Sequence, residues 1–204
     1  SLFILAIYLL YMELIIATHN ENKVLEFKKK LSSKYLLKSL SDLNFTDEIP
    51  ENENSIKKNA IFKSKFIHNI FKSNVFSDDT GLEIESLNNE PGVHSARYSG
   101  EKKDPLKNIN LVLKKMKGVS NRKARFKTVI SLMMDNKNYC FEGIVNGTII
   151  DKPKGDMGFG YDPIFVADNM NKTFAEITLI EKNKISHRAI ATNKLIDFLN
   201  EKVI

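Results

Sequence analysis

Short apolar runs along the chain alternate with stretches in which apolar residues recur every three or four positions. Leu14–Ala17 reads as a buried strand, and Asn20–Leu31 follows it with helical spacing. Tyr35–Leu40 reads as a second strand and Ser55–Phe71 as a second helix. Val75–Ser77 and Leu82–Ile84 read as two short strands around a turn, and Pro105–Met116 as a helix. Phe126–Met134 and Tyr139–Ile150 pair as a hairpin turned at Asp135–Asn138, and a final helix follows Ser186. This alternation places the chain in the α/β class. Pro153, Gly155, Gly158 and Gly160 make residues 151–163 an irregular loop, the kind of segment where backbone approaches ligands closely. No repeat or flexible linker divides the pattern, so residues 12–204 are expected to form a single domain.

The apolar run Leu2–Tyr11 is too short to span a bilayer, which takes about 20 such residues, and Glu13 interrupts it. Nothing basic precedes Lys23, as a secretory signal would require. Met12 stands just before the first strand and reads as the natural start, with residues 1–11 an N-terminal extension. No membrane partner is expected.

Composition narrows the picture further. With 204 residues, 42% hydrophobic and 27% charged, the chain can bury a sizeable core, which excludes disorder and fibrous repeats. Cys140 is the one cysteine and can close no intrachain disulfide, and no Cys/His pair has zinc spacing. Both features point to a reducing compartment, the cytoplasm. The net charge of +6 rests on 27 lysines spread along the chain and only four arginines. That distribution reads as a solvated lysine surface, not a nucleic-acid face, and leaves small anions as fitting partners.

Five segments carry candidate chemistry. Thr18-His19-Asn20-Glu21-Asn22-Lys23 leaves a strand and opens a helix, where free N–H groups, the positive dipole end and a lysine suit phosphate; the alternative is an ordinary N-cap. Ser77-Asp78-Asp79-Thr80-Gly81 sets two carboxylates side by side, a pair that a divalent cation such as Mg²⁺ would offset; the alternative is a solvent-exposed turn. Glu51, in the acidic stretch Glu48–Asn54, precedes a helix on which Asn59 and Lys63 share a face. Gly158-Phe159-Gly160-Tyr161-Asp162-Pro163 joins glycines to aromatics able to stack on a base, with Asp162 able to accept from a ring N–H. In Glu181–Arg188, the residues Lys182, His187 and Arg188 could donate to a keto oxygen or to phosphates, while Ser186 reads as a helix cap.

In order, these segments resemble the inosine triphosphate pyrophosphatase family, also called dITP/XTP pyrophosphatases, from Met12 to the C-terminus. The family pattern T/S-x-N-x-x-K is met by Thr18–Lys23, and E…N-A-x-x-K by Glu51 with Asn59-Ala60-Ile61-Phe62-Lys63. D-D-S-G-L is met by Asp78-Asp79-Thr80-Gly81-Leu82, and P-G-x-x-S-A-R-Y by Pro91–Tyr98. G-F-G-Y-D-P-x-F is met by Gly158–Phe165, and A-E…K…I-S-H-R by Ala175-Glu176, Lys182 and Ile185–Arg188. The chain departs from the pattern at His19, where glycine is usual, at Thr80 in place of serine, and at Lys58, where an acid often precedes Asn-Ala.

The resemblance implies an elongated, mixed, twisted sheet flanked by helices, with two lobes and a central cleft, in a homodimer. It implies an enzyme that hydrolyses nucleoside triphosphates of 6-keto, deaminated purines (ITP, dITP, XTP) to the monophosphate and pyrophosphate with Mg²⁺, clearing them from the nucleotide pool. By the same resemblance Asp79 is the general base and a metal ligand, Glu51 a second metal ligand and Asp78 a supporting acid of the metal site. Thr18, His19, Asn20, Glu21, Asn22 and Lys23, with Lys63 and Thr80, would hold the phosphates. Phe159, Gly160, Tyr161, Asp162, Lys182, His187 and Arg188 would form the base pocket. Two other functions share some of these parts: a pyrophosphatase for other modified nucleotides, and a non-catalytic nucleotide- or RNA-binding module, which would not need Asp78, Asp79 and Glu51 beside the phosphates.

Overall fold

A computed structural model of the chain describes residues 12–31 and 35–202, so the expectation for residues 1–11 lies outside the described part. The core is a seven-stranded mixed sheet in the order β2-β1-β3-β5-β6-β7, with β4 pairing onto the end of β3. β1 (Met12–Ile16), β2 (Tyr35–Ser39) and the start of β3 (Val75–Ile84) run parallel, joined through α1 (Glu21–Lys30) and α2 (Ile56–Phe71). From β3 onward the pairing is antiparallel, through β5 (Lys123–Met134), β6 (Lys137–Ile149) and β7 (Phe165–Ala167). β4 is the pair Glu90–Pro91, and α3 (Pro105–Lys115) precedes β5. The chain closes with α4 (Leu179–Ile185) and α5 (His187–Lys202). Among the described residues no helix is long and apolar enough to cross a membrane.

Two local expectations need correction. Val75–Ser77 and Leu82–Ile84 are not separate strands around a turn: β3 is one ten-residue strand, with Asp78–Gly81 in its middle. Its ladder to β5 runs unbroken from Val75–Met133 to Ile84–Ala124, and that pairing overrides the turn propensity of Asp-Asp-Thr-Gly. The β5–β6 hairpin turns on two residues rather than four: Asp135 and Asn136 both take positive φ, 50° and 58°, as a tight primed turn requires. β4, β7 and α4, of two, three and seven residues, are too short to carry a periodic pattern.

The long strands β3 and β5 connect two cores. At one end Phe76, Ile130, Leu132 and Met134 pack with Leu14, Phe27, Leu195 and Leu199. At the other, Leu82, Ile84, Ala124 and Phe126 pack with Ile109, Phe165 and Phe174. Between them β3 carries its polar middle. β1 reaches only as far as Phe76, where Ala17 N–H donates to the Phe76 carbonyl at 2.8 Å, so the edge of β3 opens immediately beyond it. A crevice where a strand ends beside a longer neighbour is a common ligand site of α/β sheets.

Candidate active site

A cleft of about 1120 Å³ lies at this opening and reaches from the loop after β1 to the glycine-rich loop before β7. Its walls hold Thr18, His19, Asn20, Asn22 and Lys23, then Glu51, Lys63, Asp79 and Thr80, and finally Phe159, Gly160, Tyr161, Asp162, Lys182, His187 and Arg188.

The loop after β1 ends in a true helix cap. Asn20 Oδ1 accepts from Lys23 N–H at 3.3 Å, and Thr18 Oγ1 from Asn20 N–H at 3.2 Å. The N-terminal turn of α1 therefore meets the cleft with its dipole and with Lys23. Glu21 is the exception in this loop: its carboxylate accepts from Ser41 Oγ at 3.1 Å, and it does not line the cleft.

Because successive strand residues point to opposite faces, Asp78 and Asp79 do not share an environment. Asp78 is fully buried on the face it shares with Thr80, 3.1 Å from Lys23 Nζ through Oδ1 and accepting from Arg188 Nε at 3.1 Å through Oδ2. Burial opposes its charge, but Lys23 and Arg188 outweigh that and hold the carboxyl well below the usual carboxylate range. Asp79 faces α2 instead, where its Oδ1 accepts from Lys63 Nζ at 3.1 Å. Burial and the Glu51 charge push the Asp79 carboxyl up against the pull of Lys63 and Lys23. The other oxygen, Oδ2, is buried with no hydrogen-bond partner.

Glu51 arrives from residues 40–55, a strap with no helix or strand. Its Oε1 accepts from the same Lys63 Nζ at 2.8 Å, so one ammonium joins both carboxylates. Burial disfavours the Lys63 cation, yet Asp79 and Glu51 raise its pKa above the usual lysine value. Glu51 is held low by Lys63 despite its own burial. The hard oxygens of Asp79 and Glu51, one of them unpartnered, match the donor chemistry of Mg²⁺, which keeps several waters and takes one or two carboxylates.

At the far end α4 and α5 meet at Ser186, which closes one helix and caps the next by accepting from Ala189 N–H at 3.1 Å. That joint brings Lys182 beside His187 and Arg188. The Phe159 ring has Lys182 Nζ 4.6 Å and the Arg188 guanidinium 5.5 Å from its centroid. Asp162 accepts from Phe159 N–H at 2.8 Å and from Lys182 Nζ at 2.6 Å. Tyr161 is tied down differently from a stacking residue: its ring is buried, and its hydroxyl donates to the Ser95 carbonyl at 2.9 Å. His187 is buried against Phe126, centroids 4.5 Å apart, with Nδ1 unpartnered. Burial and the neighbouring cations hold it neutral, its pKa well below 6.5.

Two residues to which the sequence assigns no role belong to this arrangement. Glu26 is buried on α1, takes Lys182 Nζ at 3.3 Å on Oε1 and Arg188 Nη1 at 2.5 Å on Oε2, and is held below the ordinary glutamate value by both. Its spacing of three from Lys23 on one helical face was the available signal. Arg97 donates from Nη2 to the Glu51 carbonyl at 2.6 Å, and it stood inside Pro91–Tyr98. The result is an alternating chain of charges, Asp162–Lys182–Glu26–Arg188–Asp78–Lys23, running along the cleft wall from its aromatic end to its phosphate-friendly end, with Glu26 and Asp78 behind the lining residues.

Comparison with known proteins gives this geometry its relatives. The dITP/XTP pyrophosphatase of Flavobacterium johnsoniae is 45% identical over 188 residues, covering 92% of this chain and 98% of that protein. The Bacillus subtilis dITP/XTP pyrophosphatase is 46% identical over 191 residues, covering 92% and 96%. The structure of the Staphylococcus aureus Ham1 protein aligns with a TM-score of 0.85 at 38% identity, over 93% of this chain and 99% of that one. A HAM1 protein from Coxiella burnetii aligns with a TM-score of 0.86 at 33% identity, over 93% and 99%. A family model described as the Ham1 family matches residues 14–198, a span that holds every segment lining the cleft. On this agreement of sequence, fold and site, the chain belongs to the Ham1 family.

Proposed function

We propose that this chain hydrolyses deaminated purine nucleoside triphosphates, ITP, dITP and XTP, to the monophosphate and pyrophosphate, and so removes them from the nucleotide pool. The observation that carries the reading is the two-ended cleft: an aromatic shelf at Phe159 and a cationic end at Thr18–Lys23 and Lys63, with the Asp79 and Glu51 carboxylates between them. The names of the relatives, dITP/XTP pyrophosphatases, support the same substrate class.

In this reading the phosphates lie against the first turn of α1 and Lys63, and the base against Phe159. Asp79 orients the attacking water and takes its proton, a task favoured by a carboxyl raised above the ordinary value of 3.8. Asp78, with its oxygens engaged by Lys23 and Arg188, fixes those two cations and supports the metal site from behind. Mg²⁺, held by Glu51 and Asp79, would offset the charge that gathers on the phosphates. Selectivity follows from hydrogen-bond polarity: donors from the His187–Arg188 wall match a 6-keto oxygen, whereas the adenine amino group would meet them donor to donor. A homodimer in the cytoplasm is the proposed setting, and sedimentation of the purified protein tests the assembly.

The direct test is to incubate the protein and Mg²⁺ separately with ITP, XTP, dITP, ATP, GTP and dUTP and to quantify pyrophosphate and orthophosphate. Pyrophosphate from ITP, dITP and XTP, with little from ATP, is expected. Orthophosphate, or indifference to the base, would overturn the reading.

A further inference from the structure

His19 stands in the loop after β1, and its side chain does not simply project into the cleft. Its Nε2 lies 2.9 Å from the Asp47 carbonyl, and its ring stacks on Phe45 with centroids 6.2 Å apart and planes 10° from parallel. Phe45 meets Phe71 edge-on at 6.0 Å, and both Phe45 and Ile49 pack on the core of Ile15, Ala17, Leu40, Ile67 and Val75. Asp47 and Glu51 are four residues apart on the same strap, and that strap has no helix or strand to hold it. Its far end is anchored by Arg97 on the Glu51 carbonyl and by Asn59 Oδ1, which accepts from Glu53 N–H at 3.0 Å. Its near end is held at residues 40–45 by Asp42 on the Ser39 N–H, by the Phe45 N–H on the Leu40 carbonyl and by the Ser41–Glu21 hydrogen bond, and His19 carries that hold on to Phe45 and Asp47.

We infer that His19 is a positioning residue that docks the strap onto the loop after β1 and thereby sets the Glu51 carboxylate beside Asp79. Lys63 holds the Glu51 carboxylate directly, but a segment without secondary structure keeps its backbone in place only through tertiary contacts along its length, and misplacing a reacting constellation by about 1 Å can lower a rate by about a hundredfold. The imidazole supplies both a donor to the Asp47 carbonyl and a flat face for Phe45. The inference rests on the pyrophosphatase reading for its kinetic consequence, and on geometry alone for the docking itself.

The test compares His19→Ala, His19→Gln, Phe45→Leu and the double variant His19→Ala/Phe45→Leu. Hydrogen exchange is followed on the nucleotide-free, metal-free protein, and kcat, KM for ITP and the half-maximal Mg²⁺ concentration on the enzyme. His19→Ala should raise exchange over residues 44–53 but not in β3 or β5, lower kcat about tenfold or more and raise the Mg²⁺ requirement, with KM moving less than about twofold. Gln, which can place a donor near Nε2, should restore part of the loss. Phe45→Leu should act in the same direction, and the double variant should fall short of the product of the single effects. Unchanged exchange with a raised KM would overturn the inference in favour of direct phosphate contact, and no change in any readout would overturn it outright. If the wild-type protein released no pyrophosphate, the functional reading would fall, and the exchange pattern would still decide whether His19 docks the strap.

Discussion

Asp78 and Asp79 illustrate how much one residue of register decides. As neighbours on an exposed turn they would simply repel; on a strand the period of two sends each to its own cations. Asp78 Oδ1 is ion-paired to Lys23 and its Oδ2 to Arg188, whereas Asp79 Oδ2 is buried with neither an ion-pair nor a hydrogen-bond partner, and this asymmetry supports the proposed base role of Asp79. Asp79→Asn should therefore lower kcat by about 10²–10⁴-fold with nucleotide binding retained, measured by turnover and by titration with ITP. The Asp79 carboxyl, raised by burial in the metal-free protein, also has a sign for activity: the base works deprotonated, so kcat/KM should fall on the acid side, and raising the Mg²⁺ concentration should move that limb to lower pH. Gly158 shows a different residue-scale constraint. It has φ +75°, and a Cβ there would stand 2.2 Å from Asp162 Oδ2, which binds Lys182 and the Phe159 amide, so the backbone can pass only as glycine.

At the scale of elements, the site depends on how closely α5 approaches the sheet. Gly143 on β6 lies beneath its first turn, and a Cβ added there would come 2.0 Å from the His187 carbonyl oxygen and 2.7 Å from the Ala191 nitrogen. Backbone on both sides leaves little room to yield. Gly143→Ala should cost about 1–3 kcal/mol by denaturant unfolding, and it should lower kcat/KM as well because His187 and Arg188 move with the helix. A wild-type denaturation midpoint would refute this packing account. The helix after Ser186 was legible in the sequence, since its cap residue is a local signal. The continuity of β3 was not, because Asp-Asp-Thr-Gly has turn propensity and only the ladder to β5 shows that pairing wins.

For the whole molecule the charge chain is the feature that ties the two ends of the cleft together. Glu26 sits at its middle, between Lys182 and Arg188. Removing its charge takes away the anion shared by Lys182 and Arg188, which keep only Asp162 and Asp78, so Glu26→Gln should destabilise the fold by about 1–3 kcal/mol and weaken activity on ITP; calorimetry and the pyrophosphate assay read the two effects. His187 adds a pH dependence of defined sign. Its folded pKa lies well below the ordinary 6.5, so the unfolded chain takes up a proton near pH 6.5 that the folded protein refuses. Its stabilising contribution is therefore complete above pH 6.5 and is lost as pH falls below that value, at up to about 1.4 kcal/mol per pH unit. Urea unfolding of wild type and His187→Phe between pH 7 and pH 5 should show a shallower loss in the variant, whose ring can still stack on Phe126.

The sequence by itself determined the α/β class, most helices and strands, and the segments from which the cleft is built, because periodicity, caps and motif spacing are local properties of the chain. Only the tertiary structure decided which face each β3 carboxylate occupies and how the strap reaches Lys63 and Arg97. It also decided that Glu26 closes on Arg188 across 162 residues of chain. No local pattern encodes such a contact. It exists because α1 and α5 pack on the same core, and because charges buried there must find partners of opposite sign.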